Sequence, residues 1–452
     1  MSDKGIPYLP HAAGDRKRML ERIGVDSVDE LFRDIPEEIR QKTGIELPDH
    51  LSEFEVYRKL KDAAGKNISG VSFLGEGIYD HLIPAVVPFV MSRSEFLTAY
   101  TPYQAEMSQG ILQAIFEYQT LMCMLTGLDV SNASLYDGAT AAAEACAMAV
   151  NSVRHADRLL YSSTLYPQTV EVLKTFFSNV DIELEEVEAP EGSGALNLDA
   201  LKTKLEKGVA GVIVQSPNRF GCIEDYTGFA DAVHDVGAKF IISSNPISLG
   251  MLKSPGEWGA DLAVGNGQPC GLPQFFGGPG VGYICAAENL MRKMPGRIAG
   301  QSVDSEGNRA FVLTLQAREQ HIKRERATSN ICTNQALTAV GVAAYLVCLG
   351  PEGMSELGSR NHSKARYLFD RLLGETGVER VFDAPFFNEF VVRMPIEAEK
   401  VVEHMVDQGY FPGIPLTGAY EGAERDLLVA VTEKRTREEL DGYIEALRGV
   451  VQ

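Results

Sequence analysis

The sequence predicts an α/β protein, with a large domain built on a mostly parallel sheet and a smaller α+β domain after it. Short apolar runs alternate with helical stretches through the middle of the chain, as expected for parallel strands joined by helices. Two of these runs, 211–216 and 239–244, are almost wholly apolar, which is typical of strands covered on both faces. The pattern changes near residue 326, and this change predicts the second domain.

The predicted organisation has three parts. Residues 1–65 form an N-terminal arm of short polar helices, including 14–24 and 27–40, in which Ser27 and Glu30 are spaced as a capping box. Residues 66–325 form the large α/β domain, and residues 326–452 form the α+β domain with an antiparallel sheet. The strands of the large domain are expected at 158–162, 182–188, 211–216, 239–244 and 260–265.

The composition restricts the class of function. The chain has 452 residues and a net charge of -20, which repels phosphates, so no nucleic-acid partner is expected. No run approaches the roughly 20 apolar residues of a membrane span, and the first residues show no secretory signal. The 7 cysteines form no CxxC pair and the 8 histidines are scattered, so neither a disulfide framework nor a metal site is expected. These features predict a cytoplasmic protein without a membrane partner.

Three local strings connect this layout with a known family. They are TAYTPYQAEMSQG at 98–110, FFGGPGVGYI at 275–284 and ERATSNICTNQAL at 325–337. With further matches along nearly the whole chain, they make the sequence resemble the glycine dehydrogenase (decarboxylating) family, the P-protein of the glycine cleavage system. The resemblance implies a type I pyridoxal-phosphate-transferase fold for the large domain. By length the chain is similar to the N-terminal half of that enzyme, which in the split form is subunit 1.

The resemblance also implies a reaction and its partners. With subunit 2, a protein of this kind decarboxylates glycine by means of pyridoxal phosphate and transfers the aminomethyl group to the lipoyl arm of the H-protein. In type I enzymes the active site lies at the dimer interface. Two copies of each subunit, a heterotetramer, are the family's usual assembly.

The lysine that such an enzyme needs for its Schiff base is absent from the expected place. The sequence has no lysine between Lys253 and Lys293. Matching the glycine-rich turn to that of the lysine-bearing subunit places Gln268 at the lysine position. Ser244 or Asn245 stands where an aspartate would keep the cofactor ring protonated. We therefore expect this chain to bind no pyridoxal phosphate covalently, and subunit 2 to hold the cofactor.

Two polar segments are candidates for contributing to the partner's active site. The first contains Tyr100, Thr101, Tyr103 and Gln104, at the start of a helical segment expected from Gln104 to Met124 and interrupted near Gly110. The second is Thr328, Ser329 and Asn330, which would open a helix beginning near Ile331. In this fold such segments reach across the dimer interface. A buried hydrogen-bonded turn is the alternative for the first segment, and simple helix capping is the alternative for the second.

Two further features and the role of the whole chain leave alternatives open. The turn Asp137–Thr140 would cradle a phosphate in a cofactor-binding relative, but with the lysine missing we favour Asp137 as an ordinary N-cap. The basic segment 321–326 is either a solvated surface or a contact for an acidic carrier protein. For the whole chain, the alternative to a share in the active site is an inert structural partner of subunit 2.

Overall fold

The structure, a computed structural model, describes residues 12–40, 49–97, 102–275 and 278–451. Its internal contacts divide the chain into two compact units, Met1–Ile68 and Ser69–Gln452. The domain boundaries predicted after residue 65 and before residue 326 stay predictions.

The helices are α1 (Ala13–Ile23), α2 (Glu53–Ala64), α3 (Val86–Met91), α4 (Ser94–Leu97), α5 (Gln109–Thr126), α6 (Gly138–Val150), α7 (Pro167–Phe177), α8 (Leu198–Lys202), α9 (Phe229–Asp235), α10 (Gln320–Lys323), α11 (Ala336–Glu375), α12 (Ala398–Asp407) and α13 (Arg437–Val451). The strands are β1 (Val71–Ser72), β2 (Val130–Ser131), β3 (Arg158–Ser162), β4 (Glu183–Val187), β5 (Val209–Ser216), β6 (Lys239–Ser244), β7 (Leu262–Asn266), β8 (Gly282–Ala286), β9 (Ile298–Val303), β10 (Arg309–Thr314), β11 (Glu379–Arg380), β12 (Glu389–Arg393), β13 (Tyr410–Phe411), β14 (Ile414–Pro415) and β15 (Asp426–Ala430).

The N-terminal unit contains the amphipathic helices α1 and α2, and neither of them buries a residue. The helix predicted at 27–40 is wrong, because the structure has only the 3-10 turn Asp29–Phe32 there. The predicted contact between Ser27 and Glu30 does form, with the Glu30 amide donating to the Ser27 hydroxyl at 3.3 Å. Pro36 has no amide hydrogen to donate, so a continuous helix through this segment is unfavourable.

The centre of the second unit is a seven-stranded sheet in the order β2-β8-β7-β6-β5-β3-β4. Strands β3 to β7 run parallel to one another, and β8 lies antiparallel between β7 and β2. The predicted α/β class with a mostly parallel sheet is therefore confirmed. The five strands expected in this domain are all present, within two residues at each end.

Both faces of the central sheet are covered by apolar side chains. On β5, Ile213 packs into the core beneath α6 and α7, whereas Val212 and Val214 face the core beneath α9. On β6, Ile241 belongs to the first of these cores and Phe240 to the second. Burial on both faces explains why these strands are almost wholly apolar in sequence.

The C-terminal part carries a four-stranded antiparallel sheet in the order β11-β12-β15-β14. Helices α12, α13 and the second half of α11 pack against it, and Phe73 from the beginning of the unit joins the same core. Helix α11 is long and apolar enough to cross a membrane by length and composition alone. Its first half, with Ala339, Val342 and Tyr345, is nevertheless packed into the core of the large sheet. A kink at Gly350, whose φ is 62°, separates the two halves.

Candidate functional site

A cleft opens where β6 and β7 end and α6 begins, the position at which open parallel sheets bind ligands. The segment Glu76–Tyr79 and the start of α7 complete its walls. The lining residues are Glu76, Gly77, Ile78, Tyr79, Asp137, Gly138, Ala139, Tyr166, Gln168, Thr169, Gln215, Ser243, Ser244, Asn245, Gly265, Asn266 and Pro269. Among these residues of the described chain there is no lysine.

Gln268 is buried beside this cleft and its amide is fully used. The side-chain oxygen accepts a hydrogen bond from the Tyr79 backbone N–H at 3.0 Å. The side-chain nitrogen donates to the carbonyl oxygens of Tyr79, at 3.0 Å, and Leu272, at 2.8 Å. An ammonium group has no lone pair and could not accept from Tyr79. The residue predicted at the lysine position therefore holds the Tyr79 segment against the turn after β7.

The end of β6 presents uncharged groups to the cleft. The Ser244 and Tyr283 hydroxyls lie 2.9 Å apart, and Tyr283 also donates to the Ser244 carbonyl oxygen at 2.8 Å. The Asn245 side-chain oxygen accepts from the Ile247 amide at 3.0 Å. Neither Ser244 nor Asn245 offers the carboxylate that would stabilise a protonated pyridine ring.

The start of α6 is closed by its own N-cap. The Asp137 carboxylate accepts a hydrogen bond from the Thr140 amide at 2.8 Å, which agrees with the favoured reading of this turn. Gly138 packs against the end of β7, where an added Cβ would lie 3.0 Å from the Asn266 nitrogen. A carboxylate already occupies the helix N-terminus, so the electrostatic attraction for a phosphate is reduced here.

A buried carboxyl group, which the sequence analysis did not single out, borders the cleft. Glu389 accepts a hydrogen bond from the Tyr79 hydroxyl at 2.9 Å and from the Glu76 amide at 2.7 Å. The Tyr166 hydroxyl lies 3.0 Å from that of Tyr79 and extends the group. Burial raises the pKa of the Glu389 carboxyl to about 7. A glutamate at the head of β12, directly before three apolar residues, was the available signal in the sequence.

The first predicted interface segment is partly described. Tyr100 and Thr101 lie outside the described residues, whereas Tyr103 and Gln104 are exposed. The Tyr103 hydroxyl accepts a hydrogen bond from Arg297 at 2.8 Å. The helical segment expected from Gln104 has its interruption at Ser108 rather than near Gly110, because a 3-10 helix at Ala105–Met107 is followed by α5 from Gln109.

The break in the helical segment before α5 has a physical reason. The Gln109 side chain pairs with the backbone of β10. It donates to the Phe311 carbonyl oxygen and accepts from the Phe311 amide, both at 2.8 Å. This tertiary contact fixes where the helix can begin.

The second predicted segment does not cap a helix. Helix α11 begins at Ala336, five residues after the expected start near Ile331. The intervening chain is held by other partners, because Asn334 and Gln335 both donate to the Ser134 hydroxyl, at 3.1 and 3.0 Å. These tertiary bonds replace the helical ones and explain why the predicted start is wrong.

Thr328 and Asn330 are exposed, and Ser329 is half-buried. The Ser329 hydroxyl accepts from the Ile331 amide at 3.1 Å and lies beside Glu144 on α6. Burial raises the pKa of the Glu144 carboxyl to about 7, and the Ser329 hydroxyl opposes that shift.

The first predicted segment and the residue that follows the second one both lie against one stretch of chain, Met294–Arg297. Tyr103 contacts Arg297, and Ile331 lies against Gly296, 3.4 Å from where a Cβ would be. None of the described residues predicted in these segments lines the cleft at the end of β6 and β7. In the described part of the chain, no group of three His, Cys, Asp or Glu side chains is arranged to hold a metal ion.

Solved structures with little sequence similarity share this fold. Glutamate decarboxylase from Lactobacillus brevis superposes with a TM-score of 0.68 at 13% identity, over 92% of this chain and 96% of that one. A cysteine desulfurase from Thermococcus onnurineus gives 0.64 at 15% identity, over 90% and 99%. The architecture is that of the pyridoxal-phosphate-dependent enzymes of fold type I.

Within that class the relationship is specific. The family model for the glycine cleavage system P-protein matches residues 7–447, and the chain belongs to this family. A probable glycine dehydrogenase (decarboxylating) subunit 1 from Carboxydothermus hydrogenoformans is 48% identical over 450 residues, covering 98% of this chain and 100% of the relative. The Bacillus cytotoxicus protein of the same name is 47% identical, over 98% and 99%. A crystal structure of an inhibitor-bound glycine decarboxylase (P-protein) superposes with a TM-score of 0.90 at 41% identity, over 98% and 100%.

Proposed function

We propose that this chain is the first of two different subunits that together decarboxylate glycine, and that subunit 2 holds the pyridoxal phosphate. The observation that carries the proposal is the Gln268 side chain, whose oxygen and nitrogen are both committed to backbone partners. Two further features support the proposal. The end of β6 offers no carboxylate for the cofactor ring, and the Asp137 carboxylate already caps the start of α6. The residues of this cleft therefore do not fit a covalently bound cofactor.

In the proposed reaction, glycine loses its carboxylate as CO2 and the aminomethyl group passes to the lipoyl arm of the H-protein. Pyridoxal phosphate supplies the electron sink for this chemistry when it is bound by the partner. This chain contributes a wall that orients groups and excludes water. Tyr103, Thr328 and Asn330 suit that role, because they are exposed hydrogen-bonding side chains.

Docking of the H-protein is proposed on the basic segment 321–326. His321, Lys323, Arg324 and Arg326 are all exposed, so their charges are available to an acidic carrier. Glu325 offsets part of this charge, with its carboxylate 3.8 Å from Arg326.

The location of the cofactor is tested by borohydride reduction of the assembled two-subunit complex, followed by peptide mapping of both chains. We expect a pyridoxyl-lysine in subunit 2 and none in this chain. Stoichiometric labelling of any lysine in this chain would refute the assignment. This chain alone, without subunit 2 and treated in the same way, controls for adventitious modification of surface lysines.

The alternative, an inert structural partner, predicts a different result for substitutions in the two exposed segments. Complexes carrying Tyr103→Phe or Thr328→Ala should assemble normally. They should exchange the carboxyl group of glycine with CO2 more slowly than the wild-type complex does. Loss of one well-placed donor costs about 100-fold or more at comparable sites. Ser178→Ala, on an exposed turn after α7, is the matched control. If both variants keep wild-type exchange, the chain is a scaffold.

A further inference from the structure

The cleft at the end of β6 and β7 keeps hydrogen-bonding groups that the fold does not use. Ser243, on β6, is 8% exposed, and Thr169, on α7, is 7% exposed. Among the described residues, neither hydroxyl has a hydrogen-bond partner. Both residues line the cleft, and their hydroxyls are open to it rather than enclosed by protein atoms. Because buried polar groups are normally hydrogen-bonded, these two hydroxyls indicate a ligand or ordered water in the cleft.

The sheet brings these groups close to the starts of two helices. Ser243 pairs in register with Gln215 on β5, and the Gln215 side-chain oxygen accepts from the Tyr166 amide, just before α7, at 3.2 Å. On the other side of β6, strand β7 ends at Asn266, whose nitrogen would lie 3.0 Å from a Cβ on Gly138, the first residue of α6. The starts of α6 and α7 therefore flank the end of β6.

The ionisable groups that line the cleft are acidic. Two carboxyl groups belong to the lining, and no lysine, arginine or histidine of the described chain does. The Asp137 carboxylate uses Oδ1 to cap α6, whereas its Oδ2 has no hydrogen-bond partner in the described ranges. Glu76 is half-buried, and its Oε2 accepts from the exposed Gln168 side chain at 3.4 Å. Each carboxyl group therefore keeps an oxygen for a donor from outside the chain.

Charges beyond the lining do not reverse this sign. Burial raises the pKa of the Glu76 carboxyl, and the positive charge of Arg219 opposes that shift. Glu389, which borders the cleft, has its pKa raised to about 7 by burial, so it carries part of a negative charge near pH 7. Arg219 is thus one positive charge against three carboxyl groups, and the cleft favours cations over anions.

An ammonium group matches this lining better than the other ionic classes do. It carries three N–H donors and no acceptor, so the carboxylate and hydroxyl oxygens of the cleft are suitable partners for it. Ile78, Ala139 and Pro269 add apolar surface to the walls. The volume of about 220 Å³ is below the roughly 300–1,000 Å³ of sites for drug-sized ligands, so the ligand is small.

We propose that this cleft binds a small organic ammonium compound, with the ammonium group at Asp137 and Ser243 and an apolar body against the neighbouring wall. The inference goes beyond the proposed function and shares one premise with it, namely that subunit 2 holds the cofactor and leaves this cleft free.

Benzylammonium is the probe, and benzyl alcohol and benzoate are its neutral and anionic analogues with the same ring. Binding is measured by ligand-observed NMR titration of the two-subunit complex. The cofactor is first reduced onto its lysine with borohydride, because an aldimine would react with the amine. We expect benzylammonium to bind roughly 10-fold more tightly than benzyl alcohol, as for one charge-assisted hydrogen bond, and benzoate to bind more weakly than either.

Substitutions in the lining locate the bound probe. Asp137→Asn keeps an acceptor for the cap but removes the charge, so it should weaken benzylammonium binding roughly 10-fold and leave benzyl alcohol unchanged. Ser243→Ala and Thr169→Val remove hydroxyls that bond to nothing in the described chain. They should keep the stability of the complex and weaken benzylammonium binding about 2- to 10-fold. Asp181→Asn, at an exposed position between α7 and β4, is the matched control and should bind as the wild type does.

Equal binding of benzylammonium and benzyl alcohol would overturn the proposal, because the cleft would then show no preference for a cation. An affinity for benzylammonium that all three lining variants leave unchanged would also overturn it, since the probe would then lie elsewhere in the complex. Peptide mapping of the reduced complex tests the shared premise separately. A pyridoxyl-lysine in this chain would refute the proposed function, whereas a lack of cation preference with the pyridoxyl-lysine in subunit 2 would refute the ammonium site alone.

Discussion

At the scale of single residues, side chains beside the cleft link segments that are far apart in the chain. Gln268 ties Tyr79 to the turn after β7, and the Tyr79 hydroxyl in turn donates to the buried Glu389 carboxyl. The sequence identified Gln268 because a lysine was missing from an expected place. It could not show the partners of the amide, because Tyr79 is 189 residues away in the chain.

Replacing Gln268 by alanine should destabilise the protein by about 2–4 kcal/mol. The Tyr79 N–H and two carbonyl oxygens would lose their partner, and each buried group left unsatisfied costs about 1–3 kcal/mol, reduced where water can enter. Chemical denaturation of the chain measures the effect. Gln274→Ala removes an exposed glutamine nearby and should change the free energy of unfolding little. Equal stability of the two variants would contradict the structural role of Gln268.

Glu389 should make stability depend on pH between about 4.5 and 7. In that range the folded protein keeps a proton on Glu389, whose pKa is raised to about 7, while the unfolded chain has lost it. The contribution is therefore fully present at low pH and is lost as the pH rises to 7. Relative to Glu389→Gln, which cannot ionise, the wild type should lose about 3 kcal/mol across this window.

The measurement for Glu389 is the free energy of unfolding of both proteins at several pH values. Glu144 and Glu224, whose pKa values are also raised to about 7 by burial, titrate in both proteins and cancel in the difference. Glu352→Gln, at an exposed position, should follow the wild type at every pH. A difference that does not vary with pH would mean that Glu389 does not keep its proton on folding.

At the scale of elements, strands were predicted more accurately than helix starts. The strands of the large sheet are bounded by their apolar content, which the sequence displays directly. The starts of α5 and α11 depend on side chains that bond across the fold, Gln109 to β10 and Asn334 to Ser134. Such contacts are invisible to a local pattern, so the start of α11 was placed five residues too early and the break before α5 was expected near Gly110 rather than at Ser108. The beginning of α6 was recognised correctly because its N-cap, Asp137, is local.

The cap of α6 gives a prediction at this scale. Asp137→Ala should destabilise the protein by about 1 kcal/mol, since it removes the acceptor for the Thr140 amide. Asp137→Asn keeps an acceptor at the same position and should retain most of the stability. Thermal unfolding of the three proteins at one pH tests the comparison. An asparagine variant as unstable as the alanine variant would show that the charge, not the cap, is what matters.

At the scale of the whole molecule, exposed apolar side chains indicate a surface for a partner. In the second unit they occur along the described part of Leu74–Met107, and the large exposed ones are Leu74, Ile78, Leu82, Val86, Phe89, Leu97, Tyr103 and Met107. In the N-terminal unit, α1 and α2 bury none of their residues. Exposed apolar surface of this kind marks interaction sites. No sequence pattern could say which partner covers it, because that depends on a second chain.

We expect the chain to self-associate when subunit 2 is absent and to form a stable complex when it is present. An obligate interface of this type buries on the order of 2,000–5,000 Å². Phe89→Ser should reduce self-association and weaken the complex, whereas Val180→Ser, an exposed valine after α7, should do neither. Sedimentation velocity with and without subunit 2 measures both the self-association and the formation of the complex. A monomer at micromolar concentration with no affinity for subunit 2 would contradict the expectation.

The amide of Gln268 also bears on whether a lysine could be accommodated at this position. A single codon change to lysine would leave the Tyr79 N–H without its acceptor and add an ammonium group to a fully packed position. A working centre would further need a carboxylate at the end of β6, where Ser244 is engaged with Tyr283. Each of these two changes, made alone, would remove hydrogen bonds that the folded chain uses. With the cofactor held by subunit 2, as proposed, the requirement for a stable fold acts against a second cofactor site in this chain.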